Sequence, residues 1–243
     1  MKKINYEPNI DILRGISIIL VVLYHLKIEI FNINILPGGY LGVDIFFLIS
    51  GYLITSILYL NLKKKKFDLK IFFLRRFTRI FPVYIFVISI TLILSFFLLI
   101  PNQMIDLAKS SVSSILFYSN IFFWNNLNDY YNPDAILNPL LHTWSLAIEI
   151  QFYLIFPVLF IFFVKFKNKF KLLLFFVGIS SLFIAILFSY IEPQINFFGF
   201  QSRLWEFLFG SLIFFLKDKI VINLNFINKN IIYLLIILFA VFF

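Results

Sequence analysis

The sequence contains no cysteine. That excludes disulfides, thiolate metal sites and a cysteine nucleophile. Two histidines, His25 and His142, are the only imidazoles. They are too few for a multi-histidine centre, so no metal is expected. Charge is also scarce: Asp, Glu, Lys and Arg make up 14% of the 243 residues, against about a quarter in an ordinary soluble domain. The first apolar run lacks a small-residue cleavage site and carries Arg14 and His25 within it, so it is not a secretory signal peptide. No internal repeat and no linker to a second, soluble domain is visible, and residues 1–243 read as one transmembrane domain.

What is present is apolar. Hydrophobic residues make up 62% of the chain, 36 residues are Phe, and the mean hydropathy is +0.97. No water-soluble fold of this length can hide that much apolar surface. Composition therefore excludes a soluble globular enzyme and a disordered chain. The net charge of +9 sits in short basic runs between apolar blocks, with no basic face, so no nucleic-acid partner is expected. An excess of Phe, Ile, Asn and Lys is also what an AT-rich genome produces, so Phe enrichment alone carries no functional meaning.

Apolar runs of about 18 residues or more read as membrane-spanning helices. They are Ile12–Phe31, Leu41–Leu60, Pro82–Ile100, Trp144–Val164 and Lys171–Tyr190. Leu204–Leu216 is shorter and reads as re-entrant or tilted. A last run begins at Ile231 and is still apolar at Phe243, so the chain reads as cut inside a helix. The fold class is thus an all-α polytopic bundle of about seven spans. Lys2, Lys3, Lys63–Lys66, Arg75, Arg76, Arg79, Lys165–Lys171 and Lys217–Lys229 mark one side, while only Lys27, Lys109 and Arg203 mark the other. By the positive-inside rule the N-terminus and the basic loops are cytoplasmic. The longest outer segment, Pro101–Leu141, contains an apolar stretch, Ser110–Trp124, that suits the membrane interface.

Ionisable groups inside spans are costly and mark function by default. Arg14 and His25 lie on nearly one stripe of the first span, about 16 Å apart along its axis. Arg14 also suits a snorkelling anchor paired with Asp11, and His25 an interfacial hydrogen-bonded ring. The second span opens Gly38-Gly39-Tyr40-Leu41-Gly42-Val43-Asp44. Its glycines suggest close backbone approach or a tight turn. Asp44 falls in the first helical turn, where a carboxylate also complements the helix dipole. His142, Ser145, Glu149 and Tyr153 share one face of the fourth span. A buried Glu149 needs a partner or a proton, and a Glu149–His25 pair would orient the imidazole. Trp144 suits an aromatic belt. Between spans two and three, Arg76 and Arg79 share a helix face with Arg75 nearby. Arginine forks bind phosphates bidentately; Lys63–Lys66 alone could supply a topology anchor, and arginine in a stretch where lysine otherwise dominates favours phosphate binding. Arg203 and Glu206 suit a structural ion pair.

These blocks, in order, resemble the acyltransferase 3 family of membrane-bound O-acyltransferases, which includes O-antigen and exopolysaccharide acetylases. The matching stretches are Asp11-Ile-Leu-Arg14-Gly15 with His25, and Gly42-Val-Asp44-Ile-Phe-Phe-Leu-Ile-Ser50-Gly51. Phe73-Leu-Arg75-Arg76-Phe-Thr-Arg79-Ile-Phe-Pro82 follows. The last two are His142-Thr-Trp144-Ser145-Leu-Ala-Ile-Glu149-Ile-Gln151-Phe-Tyr153 and Arg203-Leu-Trp-Glu206-Phe-Leu-Phe-Gly210. The resemblance implies an acyltransferase of the inner (plasma) membrane. It would move an acyl group, usually acetyl, from cytoplasmic acyl-CoA to a hydroxyl of a cell-envelope glycan or lipid-linked saccharide. It implicates Arg14, His25, Arg76 and Arg79. Family members have about ten spans, so this chain reads as incomplete at its C-terminal end.

The residues fit that chemistry. Arg14, Arg75, Arg76 and Arg79 are expected to bind the phosphates of acyl-CoA, a co-substrate rather than a bound cofactor. His25 is expected to act as general base on the acceptor hydroxyl, or to carry a transient acyl group. Glu149 and Asp44 would orient His25 or the acceptor, with His142, Trp144, Ser145, Tyr153, Arg203 and Glu206 in support. Two other readings fit the residues. An intramembrane His and Glu also suit a proton-coupled transporter or a flippase for glycan precursors, and the open C-terminal end suits an inactive fragment. The acceptor and the oligomeric state are not encoded in any motif.

Overall fold

In the computed structural model, the residues described are 8–30, 33–34, 36–64, 67–126, 137–166 and 168–224. They form α1 (Pro8–His25), a ribbon of β1 (Glu29–Ile30) and β2 (Ile33–Asn34), α2 (Leu41–Lys63), α3 (Leu69–Leu98), α4 (Pro101–Ile115) and α5 (Ser119–Asn126). After these come α6 (Thr143–Phe163), a 3-10 turn (Val164–Phe166), α7 (Asn168–Ile191), α8 (Pro193–Phe198) and α9 (Phe200–Leu224). The protein is a helical membrane bundle. Five described helices are long and apolar enough to cross a bilayer: α1, α2, α3, α6 with its 3-10 turn, and α7 from Lys169. Phe96, Phe97 and Leu98 on α3 are more than 70% exposed, which lipid accommodates and water does not.

Two stretches differ from their sequence reading. The arginine-bearing segment Phe67–Pro82 is not a loop but the first part of α3. Asp68 starts that helix by accepting hydrogen bonds from the backbone N–H groups of Lys70 (2.8 Å) and Ile71 (3.2 Å). Pro82 sits within it and removes a single backbone donor without ending it. At thirty residues α3 is about 45 Å long, more than a hydrocarbon core of about 30 Å requires. Leu204–Leu216 is not a short re-entrant piece but the middle of the 25-residue α9. Its flanking charges, Arg203, Lys217, Asp218 and Lys219, dilute the hydropathy without breaking the helix. The last apolar run, from Ile231, lies outside the described residues.

The chain groups into two compact units. Among the described residues the first unit holds everything up to Tyr59, Lys171–Gly178 and the part of α9 from Glu206 onward. Here α2 and α9 cross at backbone distance. A Cβ at Gly51 would strike the Phe207 carbonyl, and one at Gly210 the Leu48 carbonyl. Ser211 Oγ donates to the Gly51 carbonyl at 3.3 Å, and the Phe47 and Phe207 rings stack at 4.6 Å. Small residues permit such contacts between membrane helices, and the hydrogen bond adds to them. The start of α2 approaches α1 in the same way. A Cβ at Gly39 would come within 2.6 Å of the Leu20 carbonyl, so the sequence glycines serve close approach.

The second unit holds Leu60–Phe170 and Ile179–Trp205. Its helix α4 has three faces. Leu107, Ser110, Ser111, Ser113 and Ser114 are buried. Ile105, Val112 and Ile115 are exposed on another side. Asn102, Asp106 and Lys109 make an exposed polar strip beside them. Successive 100° steps place these sets at about 120–280°, 320–40° and 80–140° around the axis. The helix ends with Tyr118 N–H donating to the Ser113 carbonyl (3.0 Å) and Phe117 N–H to the Ser114 carbonyl (2.9 Å), a closing motif that needs a left-handed residue. That residue is Phe117 (φ 55°) rather than glycine. Its ring stacks on Tyr84 at 5.4 Å, and its carbonyl accepts from Gln151 Nε2 at 3.3 Å. These contacts offset a backbone cost of about 1–2 kcal/mol.

Candidate active site

In the first unit, α1 carries both of its intramembrane ionisable groups on one continuous helix. Arg14 lies 4.0 Å from Asp11 and holds its guanidinium 5.7 Å from the centre of the Phe46 ring on α2. His25 is the exposed last residue of α1, and its Nδ1 lies 2.8 Å from the Val21 carbonyl. A carbonyl only accepts, so Nδ1 carries the proton and Nε2 is the basic nitrogen of the neutral ring. Asp44 sits half-buried in the first turn of α2. Glu206 is buried, 1% exposed, on α9.

In the second unit, the three arginines of α3 part company. Arg75 and Arg79 are exposed, while Arg76 is half-buried. The Arg76 guanidinium lies 6.0 Å from the centre of the Phe72 ring and 5.5 Å from that of Tyr153 on α6. Tyr153 Oη in turn donates to Glu149 Oε1 one turn away. Glu149 is 6% exposed. The structure therefore joins Arg76, Tyr153 and Glu149 in one line from α3 to α6. Such a line holds a carboxylate by a phenolic hydroxyl and a phenol ring by a cation.

The polar face read from the sequence of α6 runs from exposed to buried. His142, just before α6, is exposed, and its carbonyl accepts from Ser145 Oγ at 3.2 Å. Ser145 is half-buried, and Glu149 and Tyr153 are buried. Trp144, 4% exposed, packs against Phe197 (4.6 Å between ring centres) and Phe198 (5.8 Å). The Arg203 guanidinium lies 5.7 Å from the Trp144 ring centre and 5.4 Å from that of Phe197. Its Nε donates to the Phe197 carbonyl at 3.3 Å.

Sequence reading did not single out the residues that fix this region. Asn120 on α5 donates to the Phe198 carbonyl (3.1 Å) and accepts from Gln151 Nε2 (2.8 Å). Ser114 and Thr143 hydroxyls meet at 2.9 Å, tying α4 to the start of α6. The available signal was an amide inside an apolar run, which membrane burial makes costly unless it is paired. Among the described residues no cluster of His, Asp and Glu could hold a metal ion.

Comparison with known proteins adds the chemistry. The acyltransferase domain family matches residues 7–243. The O-acetyltransferase OatA of Staphylococcus aureus (strain NCTC 8325 / PS 47) is 38% identical over 239 residues, covering 92% of this chain and 38% of the relative. The peptidoglycan O-acetyltransferase OatA of Listeria monocytogenes is 36% identical over 217 residues, covering 86% and 34%. A putative O-acetyltransferase of Staphylococcus aureus (strain MSSA476) is 35% identical over 229 residues, covering 88% and 35%. The chain thus spans little more than a third of the length of these relatives. No solved structure matches it.

Proposed function

The chain belongs to the acyltransferase 3 family, and from that premise we propose that it is a membrane O-acetyltransferase acting on a cell-envelope glycan at the plasma membrane. Peptidoglycan is the first acceptor to test, because the Listeria relative's name specifies it. Acetyl-CoA, entering from the cytoplasm, is the donor in this reading. Exposed Arg75 and Arg79 on α3 supply cations for its phosphates.

The observation that carries the mechanism is the His25 ring. Its Nδ1 is engaged by the Val21 carbonyl at 2.8 Å, which supports Nε2 as the base in this reading. In the transfer step Nε2 takes the acceptor hydroxyl proton as the oxygen attacks the thioester carbonyl. A C–O bond forms, the C–S bond breaks, and the proton passes on to the departing thiolate. Asp44, half-buried in the first turn of α2, orients the reacting groups. Tyr153 fixes the Glu149 carboxyl.

The test is reconstitution of the full-length protein in liposomes with labelled acetyl-CoA, followed by mass spectrometry of the glycan. His25→Ala is expected to abolish transfer while inserting normally. A His25→Ala protein that acetylates glycan at the wild-type rate overturns the mechanism. Glycan movement without dependence on acetyl-CoA would instead establish a flippase.

A further inference from the structure

The cluster of Trp144, Phe197 and Arg203 has properties that packing alone does not require. Its floor is buried: Trp144 is 4% exposed and Phe198 fully enclosed. Its top is not, because Phe197 and Arg203 are half-buried and keep part of their surface outside. An aromatic ring and a guanidinium are thus held 5.4 Å apart, beside the buried Trp144 ring.

The ledge is also rigidly placed. Helix α8 has only six residues, with Pro193 at its start and Gly199 immediately after it. Asn120 clamps it through the Phe198 carbonyl, and Gln151 clamps Asn120. The Arg203 Nε–H bond to the Phe197 carbonyl fixes the guanidinium plane. Binding to a preformed surface avoids most of the ordering cost.

Position supplies the third argument. Trp144 lies in the first turn of α6, five residues before Glu149, about 7.5 Å nearer that end of the helix and about 140° round its axis. By the charge asymmetry, this end of α6 faces the outside, where a glycan would arrive. The negative face of an aromatic ring suits the weakly positive C–H face of a sugar. The guanidinium fork suits hydroxyl and N-acetyl carbonyl oxygens.

We propose that Phe197 and Arg203, backed by Trp144, form an acceptor subsite for a pyranose carrying N-acetyl groups at the outer end of α6. This rests on the reading of the chain as a glycan O-acetyltransferase. Phe197 contacts the sugar face and Arg203 its oxygens. Trp144 holds both and reports their occupancy through its fluorescence.

The experiment uses purified full-length protein in detergent with chitotetraose as the probe. Tryptophan emission is titrated with chitotetraose, and transfer kinetics are measured against both chitotetraose and acetyl-CoA. Phe197→Leu keeps apolar volume but removes the ring face, and Arg203→Lys keeps charge but removes the fork. Phe162→Ala, at a 64% exposed position on α6, controls for loss of a phenyl ring. The wild type and Phe162→Ala are expected to give a saturable emission change. Phe197→Leu and Arg203→Lys are expected to raise KM for chitotetraose roughly tenfold, a loss of about one good stacking or charged contact, with KM for acetyl-CoA unchanged. Saturable binding without any transfer would sink the transferase reading and leave the subsite standing. Transfer with an unchanged chitotetraose KM in both variants would sink the subsite and leave the transferase. Absence of any wild-type emission change and of any transfer to chitotetraose would also sink the subsite.

Discussion

Substituting Gly51 by alanine tests the helix crossing that organises the first unit. The added Cβ would meet the Phe207 carbonyl oxygen, with the carbonyl carbon at 2.7 Å and the Cα at 2.8 Å. All three are backbone atoms of α9, so no side-chain rotation relieves the clash, and the helices must separate. Overpacking of this kind costs about 1–3 kcal/mol. Separation also weakens the Ser211 bond to the Gly51 carbonyl, worth about 0.6 kcal/mol in a membrane protein. The expected destabilisation of Gly51→Ala is therefore roughly 2–4 kcal/mol. Gly15 on α1 provides the control, because a Cβ there meets nothing within 4 Å. Gly15→Ala should be neutral or up to about 1 kcal/mol more stable, from helix propensity. Equilibrium unfolding in mixed micelles by SDS titration, followed by circular dichroism, measures both. If Gly51→Ala unfolds at the same SDS fraction as Gly15→Ala, the backbone crossing is not what holds α2 to α9.

Three other substitutions probe the second unit. Asn120→Leu removes the clamp between Gln151 and the Phe198 carbonyl and should cost about 1–3 kcal/mol in the same titration. Tyr153→Phe leaves Glu149 without its phenolic donor and should slow transfer roughly tenfold to a hundredfold. Combined with Glu149→Gln it should show clear non-additivity in kcat, and strict additivity would show that the pair does not act together. Arg76→Lys should impair the enzyme more than Arg79→Lys. Arg76 is stacked on Tyr153 and Phe72, where lysine is a poor substitute, and Arg79 is exposed. Equal effects on KM for acetyl-CoA and on kcat would count against that division.

Much of the bundle could be read in advance because lipid imposes one demand, a long apolar helix with its backbone bonds closed internally. Runs such as Leu41–Leu60 and Lys171–Tyr190 satisfy it openly. The demand is silent where a helix leaves the membrane. In the first part of α3 the apolar residues are interrupted by Lys70, Arg75, Arg76 and Arg79, and the Asp68 cap shows where the helix begins. Nor does hydropathy extend Leu204–Leu216 through its flanking charges into α9. Among the chemistry-bearing residues, period alone placed Glu149 and Tyr153 on one face of α6. Period cannot find Arg76 above Tyr153, or Asn120 against Phe198, because those pairs join separate helices. Phe117 was hidden for a different reason. A left-handed position usually selects glycine, and here ring stacking on Tyr84 outweighs that preference.

The three-faced helix α4 bears on how the outer segment can be handled. Its serines are hidden by protein and its Ile105, Val112 and Ile115 side chains are open, the reverse of a helix made for water. Residues 101–126 therefore cannot be lifted out as a soluble piece for use as an antigen or a crystallisation handle. Cut free, the segment would lose the partners of its serines and the lipid of its isoleucines together, and would associate with itself. Serine-to-leucine exchanges, which look harmless in a membrane protein, are excluded at Ser110, Ser111, Ser113 and Ser114, all of which face inward.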